Sequence, residues 1–426
     1  MEKKDIKLFY RLPAINFKTY LEENINYYDG LVINANILAY QKKSVTQFLI
    51  RTQKPYIIDP ATFKFNLKKY ELMKDGKFQK SIIELSKQYG PTIKKKISQS
   101  ETLNFNDFEQ DPTLVDEITK NVLAFQKSFA DQPSPIQKYK KMLGEKEEKV
   151  KIPIFLVAPY FFFLNQNDYY YRISKKFAES SLNYKDNFDI YVTILTTKDI
   201  LYERSFLDSI IDDFKSMNGF LIWIDNFKED DNSTTDYELI LYRKLIENLV
   251  EKTKKPVYVM YGSYFSALMT KHGLTGFCTG VRYGESKKYN YATEEIGKVR
   301  FYLSSLKKKI PEDDASRFLR LYPNELCSCD FCTKKITDIK SQNPNINDSQ
   351  LVIKFFENIN PKFKISHFMA NRFDEMENIQ INSISEIKQK IDNDIQKIVN
   401  LQPHLVKEGL KKTLDFEHLK KWKNAI

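Results

Sequence analysis

The chain reads as an α/β protein, a (β/α)8 barrel with a helical insertion and a cysteine-bearing helical region after the last strand. Three observations predict this. Short apolar runs rich in β-branched and aromatic residues recur through the first two thirds. They show little alternation, as expected for strands buried on both faces of a parallel sheet. Helical patterns fill the gaps, and strand alternating with helix means βαβ units, closing here with a short β-α-β step.

In order, the strands are expected at Lys7–Arg11, Leu31–Ala35, Tyr56–Asp59, Ile152–Ala158, Asp189–Leu195, Phe220–Asp225, Val257–Tyr261 and Gly276–Val281. Helices are expected at Val45–Arg51, Asp199–Asp213, Asp236–Lys254 and Ser263–His272. The helix from Asp236 places Leu239, Leu241, Leu245 and Leu249 among charges. Residues 1–63 and 151–300 then form the barrel. Between them, residues 64–150 are too long for a βα loop and are mostly helical in pattern (Phe78–Tyr89, Pro112–Phe129, Ile136–Leu143), an insertion expected on the catalytic face. Residues 301–426 form a further region, with helices expected at Thr293–Ile310, Gln350–Ile359, Ser366–Glu377, Ser383–Val399 and in the basic tail Val406–Lys423.

Composition narrows the function classes. The chain has 426 residues, 42% hydrophobic, with 14% aromatics and only 12 glycines and 15 prolines, which excludes a low-complexity polymer. The net charge of +11 suits nucleic acid or another anionic partner, although a lysine-rich composition gives the same total. Met1–Ile6 has no apolar signal core, and no uncharged apolar run reaches the ~18 residues of a membrane span. A cytoplasmic protein is expected, with no membrane partner.

Three of the four cysteines fall within six residues, Cys327-Ser328-Cys329-Asp330-Phe331-Cys332. Clustered thiols without an export signal point to metal rather than disulfides. Thiolates are soft zinc ligands, and a structural site takes four donors. Only four histidines exist (His272, His367, His404, His418), and His367 is the candidate fourth ligand for a structural Zn2+.

Working residues of a barrel lie at the C-terminal ends of its strands. Asp59 and Asp225 each end an apolar strand. Converging there, they could serve as nucleophile and general acid or base, although either alone could be a helix N-cap. Asn34 and Asn36 end the second strand in amides, Asn226 follows Asp225, and Tyr261 ends the seventh strand. The last strand runs into Gly276-Phe277-Cys278-Thr279-Gly280-Val281-Arg282-Tyr283-Gly284-Glu285, where Arg282 and Glu285 are candidate ligand contacts. Cys278 is a candidate contact too, though a lone buried cysteine is the commoner case. The aromatic runs Tyr160–Phe163 and Tyr169–Tyr171 could stack bases, with a core role more usual for Phe161–Phe163. Lys94-Lys95-Lys96 could meet phosphates, with a solvated charge run the commoner explanation.

A barrel followed by Cys-x-Cys-x-x-Cys and a downstream histidine resembles the tRNA-guanine transglycosylase superfamily. Pro256–Gly262 through Gly273–Phe277 is similar to that family's seventh and eighth strands, and Tyr56–Asp59 resembles its strand ending in a functional aspartate. The resemblance implies a (β/α)8 barrel with a zinc subdomain after the last strand, and cleavage of an N-glycosidic bond. Three features depart from it. The 34 residues between Cys332 and His367 exceed the family's usual gap. The nucleophilic aspartate would fall near Cys278, where no carboxylate stands, and Val281–Glu285 replaces the Pro-Thr-Arg loop of tRNA-acting members. The double glycine that holds deazaguanine is not evident near Asp225. The resemblance therefore implies a DNA glycosylase that flips out a modified base and leaves an abasic site, as in phage defence, with DNA favoured over tRNA as partner. Exchange of guanine for a 7-deazaguanine in DNA or tRNA is the alternative, and a non-catalytic nucleic-acid-binding barrel is another. Asp59 and Asp225 would carry the chemistry. Asn34, Asn36, Asn226, Tyr261, Cys278, Arg282 and Glu285 would contact the substrate.

Overall fold

The computed structural model describes residues 7–130, 132–144, 146, 148–282, 285–290, 299–410 and 413–426. Eight parallel strands form a nearly closed barrel: β1 (Leu8–Leu12), β2 (Gly30–Asn34), β3 (Tyr56–Asp59), β4 (Leu156–Val157), β5 (Ile190–Thr196), β6 (Gly219–Ile224), β7 (Val257–Val259) and β8 (Gly276–Thr279). They pair in the order β3-β2-β1-β8-β7-β6-β5-β4. The seam between β3 and β4 is bridged by Ile154 N–H donating to Tyr56 O at 3.0 Å. All eight fall where the apolar runs place them. β4 is the shortest, because Ile152 is exposed and Pro153 has no N–H to donate.

The interior is layered. Phe9, Phe155, Tyr191 and Tyr258 meet near the N-terminal ends of the strands, Phe155 and Tyr191 stacking at 3.6 Å. This layer makes Gly219 obligatory, since a Cβ there would lie 2.2 Å from a Tyr191 ring carbon. Gly219→Ala is expected to cost about 1–3 kcal/mol of stability through overpacking. Urea unfolding reads it, and adding Tyr191→Leu should return part of the loss. An unchanged midpoint in the single variant would reject this packing.

The 64–150 insertion does not stay on one face. Helix Leu114–Lys127 lies against β4, where Gln126 donates to Val157 O at 2.8 Å and accepts from Val157 N–H at 2.9 Å. It also packs on helix Tyr169–Ser181, so it takes the place of the outer helix between β3 and β4. Residues 132–150 enter β4 from the N-terminal side, with Ser134 Oγ bonded to Gln47. Only the part up to Gln110 stands by the C-terminal face, tied there by Tyr89 OH donating to Pro60 O at 2.7 Å.

After β8 the expected helix Thr293–Ile310 is not formed as such. Residues 293–298 lie outside the described residues, and Phe301–Leu303 pairs antiparallel with Lys308–Ile310. Phe301, Tyr302 and Leu303 are all buried there, and Lys307 adopts φ 52 in the turn, a position without the usual glycine or asparagine signal. Helices Glu312–Leu321, Asp330–Gln342, Asp348–Glu357, Pro361–Ile381, Ile384–Lys407 and Glu417–Ala425 follow. Pro361–Ile381 packs between Tyr264–Met269 and Lys18–Glu23, the outer-ring position next to β8 and β1. Among the described residues no helix is long and apolar enough to cross a membrane.

Candidate active site and metal centre

Strand register brings one ionic network to the barrel mouth. Asn34 and Asp59 are direct neighbours across β2 and β3, and Arg11 points inward from β1. Arg11 donates from one nitrogen to Asp59 Oδ2 at 2.7 Å and to Asn34 Oδ1 at 2.5 Å. The other carboxylate oxygen accepts from Tyr160 OH at 2.6 Å and from Ala61 N–H at 3.0 Å. Burial opposes the charge on Asp59, but the Arg11 guanidinium and these hydrogen bonds outweigh it and hold the carboxyl below its ordinary range. The Arg11 guanidinium also lies 4.5 Å over the Tyr261 ring. Trp223, Phe63, Tyr160 and Tyr261 surround this network as an aromatic wall.

Asp225 sits differently. It is half-buried beyond the end of β6, and Oδ1 accepts from Tyr289 N–H at 2.7 Å. Burial raises its pKa, against the pull of that N–H and of Lys288. Segment 285–290 crosses here. Lys287 O accepts from Trp223 Nε1 at 3.2 Å and from Asn226 N–H at 2.9 Å, while Tyr289 stacks on Phe162 at 3.9 Å. Trp223, between the two aspartates in sequence order of the mouth, contacts both the Asp59 wall and this segment.

The remaining candidates separate. Cys278 is buried beside Arg11; burial pushes its pKa up to about 12, so it is a thiol at neutral pH. Asn36 accepts from Lys64 Nζ at 3.1 Å, and Asn226 is exposed. Arg282 lies 5.1 Å over the Phe17 ring. Glu285 faces away from the mouth network: it pairs with Arg372 at 3.1 Å and Lys309 at 3.7 Å. Tyr283 and Gly284 lie outside the described residues. Arg11 is the member that sequence reasoning missed, and Tyr160, read there as a possible base stacker, instead donates to Asp59. The available signal was one charged residue in an apolar strand, on the same face as the polar ends of β2 and β3.

Cys327, Cys329, Cys332 and His367 offer four donor atoms within 4.8 Å of one another. His367 Nδ1 is 3.4 Å from Cys329 Sγ and 3.3 Å from Cys332 Sγ. That is close to the roughly 3.5 Å sulfur–nitrogen edge of a zinc tetrahedron built from the usual bond lengths. His367 Nε2 is 2.8 Å from Tyr302 O, a contact that fixes Nε2–H and leaves the Nδ1 lone pair for a metal. Cys329 N–H and Asn371 Nδ2 each donate to Cys327 Sγ at 3.3 Å. The set fits a tetrahedral metal ion such as zinc.

No family model matches the chain, and no curated protein matches it. Among the solved structures similar to it are two distant ones. One is a candidate alpha-L-fucosidase from Bacteroides thetaiotaomicron VPI-5482, 10% identical, covering 68% of this chain and 91% of its own, with TM-score 0.34. The other is a candidate lyase/mutase from Burkholderia cenocepacia J2315, 10% identical, covering 67% and 78%, with TM-score 0.30. The functional reading therefore rests on the chain's own residues.

Proposed function

We propose that the chain is a DNA-acting enzyme of the tRNA-guanine transglycosylase type that cleaves the N-glycosidic bond of a modified base drawn into the barrel mouth. The observation that carries this is the division of labour between the two strand-end aspartates. Asp59 has both oxygens engaged and its charge fixed by Arg11, which suits holding the mouth in shape and stabilising positive charge on the sugar. Asp225 has a raised pKa, which suits a carboxyl that gives a proton and takes one back. As C1′–N breaks, the leaving base takes the Asp225 proton. Water then bonds to C1′ and returns a proton to the carboxylate. Excision is favoured over exchange because Cys278, a buried thiol near the end of β8, stands close to where the family's nucleophile would fall. Zinc on Cys327, Cys329, Cys332 and His367 is structural, since protein fills its four positions.

The test incubates the protein with phage DNA carrying modified bases, with unmodified DNA and with tRNA, and reads released base by mass spectrometry and abasic sites by alkali cleavage. Release from modified DNA alone is expected. Asp225→Asn should lower it about 10²–10⁴-fold with an unchanged thermal midpoint. Labelled guanine entering tRNA would sink the reading. The filled, ion-paired mouth around Asp59 favours a second reading, a binding barrel without chemistry; undiminished DNA binding with no base released by wild type would establish it.

A further inference from the structure

Ten of the 35 residues from 64 to 98 are lysines, against three carboxylates, Glu71, Asp75 and Glu84. This stretch thus carries +7 of the chain's +11, so the basic excess is local rather than a general lysine richness. Its place is set by short bonds to the mouth. It leaves β3 directly after Asp59, Thr62 Oγ1 donates to Tyr160 O at 2.7 Å, and Leu103 N–H donates to Phe65 O at 2.6 Å. Ile82, Leu85, Ile93 and Ile97 are buried beneath helices Lys80–Ser86 and Pro91–Ser98, which turns Lys94 and Lys95 outward. A hairpin, Met73–Lys74 with Lys77–Phe78, turns through Asp75 and Gly76 at φ 53 and 74 and presents Lys74 and Lys77 to solvent.

Lys87 and Lys96 have carboxylate partners, at 2.6 and 2.7 Å. Among the described residues Lys68, Lys69, Lys74, Lys77, Lys94 and Lys95 pair with none, and all six are exposed. Like charges left together repel, and a polyanion relieves that repulsion. Between Lys69 and Lys74 stands Tyr70, 68% exposed. Other rings line the same rim. Phe105 meets Tyr169 at 5.7 Å, and the exposed Tyr202 meets Tyr237 at 6.1 Å, each from a segment on the C-terminal side of the barrel. Unpaired lysines interleaved with open aromatic rings are what a nucleic-acid strand requires, phosphates on the cations and bases on the rings. An anionic membrane would call for an exposed apolar face, and this lobe buries its aliphatic side chains.

We propose that the lobe 64–98 is the phosphate-backbone grip for a DNA strand whose target base enters the neighbouring barrel mouth, with Tyr70 stacking on an adjacent base. This deepens the proposed function by naming the surface that holds the polymer. It rests on the nucleic-acid part of that reading and not on bond cleavage.

The experiment follows binding of the full chain to labelled, unmodified single-stranded and duplex oligonucleotides by fluorescence anisotropy over a range of salt. The lobe variant is Lys68→Gln/Lys69→Gln/Lys74→Gln/Lys77→Gln. The control removes the same charge from exposed positions on the outer helices and their loops, Lys120→Gln/Lys176→Gln/Lys185→Gln/Lys244→Gln. The lobe variant should lose about tenfold or more in affinity at low salt, and its slope of log K against log salt should flatten by about 1 for each lysine that meets a phosphate. The control should keep the wild-type slope. Tyr70→Ala should weaken single-strand binding several-fold at an unchanged slope. Equal losses in the lobe and control variants would overturn the proposal, as would flotation on phosphatidylserine vesicles without DNA binding. Base release with an unaltered lobe slope would overturn it alone. DNA held by the lobe with no base released would overturn only the cleavage reading.

Discussion

Purified protein is expected to carry about one zinc per chain, and Cys332→Ser should lose both the metal and the cooperative fold of the C-terminal region. Cys332 and His367 are wholly buried, Cys329 nearly so and Cys327 half-buried, so two sulfurs and an imidazole face one another away from water with a third sulfur at the edge. Without an ion that arrangement leaves thiolates to repel and thiols poorly bonded. With one, ligation becomes folding energy, about 10–16 kcal/mol in isolated zinc-finger peptides. The ligands also tie separate elements together. Cys329 caps helix Asp330–Gln342, His367 lies on helix Pro361–Ile381, and Tyr302 O belongs to the hairpin after β8. Phe301 stacks on the His367 ring at 4.6 Å, and Phe368, next in the helix, meets Tyr10 of β1 at 6.4 Å. Release of the metal should therefore loosen the outer helix that covers β1 and β8, beyond the cysteine loop itself. Metal analysis, and thermal melting with and without a strong chelator, measure this. Asn371→Ala, which removes a donor to Cys327 Sγ, should weaken metal retention by about 10–100-fold while leaving a folded protein. A metal-free Cys332→Ser protein that melts like wild type would end the structural-zinc reading.

The barrel strands and the cysteine cluster were legible for the same reason: both are local patterns. A strand buried on two faces shows as an apolar run, and Cys-x-Cys-x-x-Cys leaves little else for three thiols to do. What could not be read depends on register and on long-range partners. Asp59 stood out as a polar strand end, but its cation is 48 residues earlier on another strand, and Arg11 reads as the ordinary charged end of a short run. Asp225 takes a backbone N–H from 64 residues downstream. Glu285 looked like a ligand contact because it follows the last strand. Its partner, Arg372, is 87 residues away on the helix that carries His367, and that helix also brings Glu375 to Arg372 at 3.2 Å. The hairpin 301–310 was misread because lysines favour helix and its turn uses Lys307 where glycine is usual. The basic lobe shows the opposite case. A run of three lysines says little alone, but a lobe that follows β3 and carries six exposed lysines without carboxylate partners among the described residues turns composition into a surface.

Arg11→Met should destabilise the protein by about 3–5 kcal/mol at neutral pH, because it strands the Asp59 carboxylate in the closed mouth without its cation. Methionine keeps much of the volume, so the loss reports charge rather than a cavity. Asp59 is 1% exposed and cannot turn to water. The pH dependence tests the cause. In wild type the folded pKa of Asp59 lies below its unfolded value, so its contribution is present above the ordinary carboxylate range, near 3.9, and is lost as pH falls through the folded value. In the variant, burial is opposed only by the Tyr160 and Ala61 hydrogen bonds and by Lys64, so the folded pKa rises from its wild-type value and acid protonates and relieves the stranded group. The gap between the two proteins should thus be widest near pH 7 and narrow toward pH 4, read by urea unfolding at both. Arg11→Met/Asp59→Asn should recover part of the loss, since it removes the charge along with the partner. A gap independent of pH would mean that Arg11 acts by packing on Tyr261, which it overlies at 4.5 Å, and the network would then be a hydrophobic plug rather than an ionic one. A pH-dependent gap would leave Asp59 charged and fixed under the mouth, which is the condition that assigns proton transfer to Asp225.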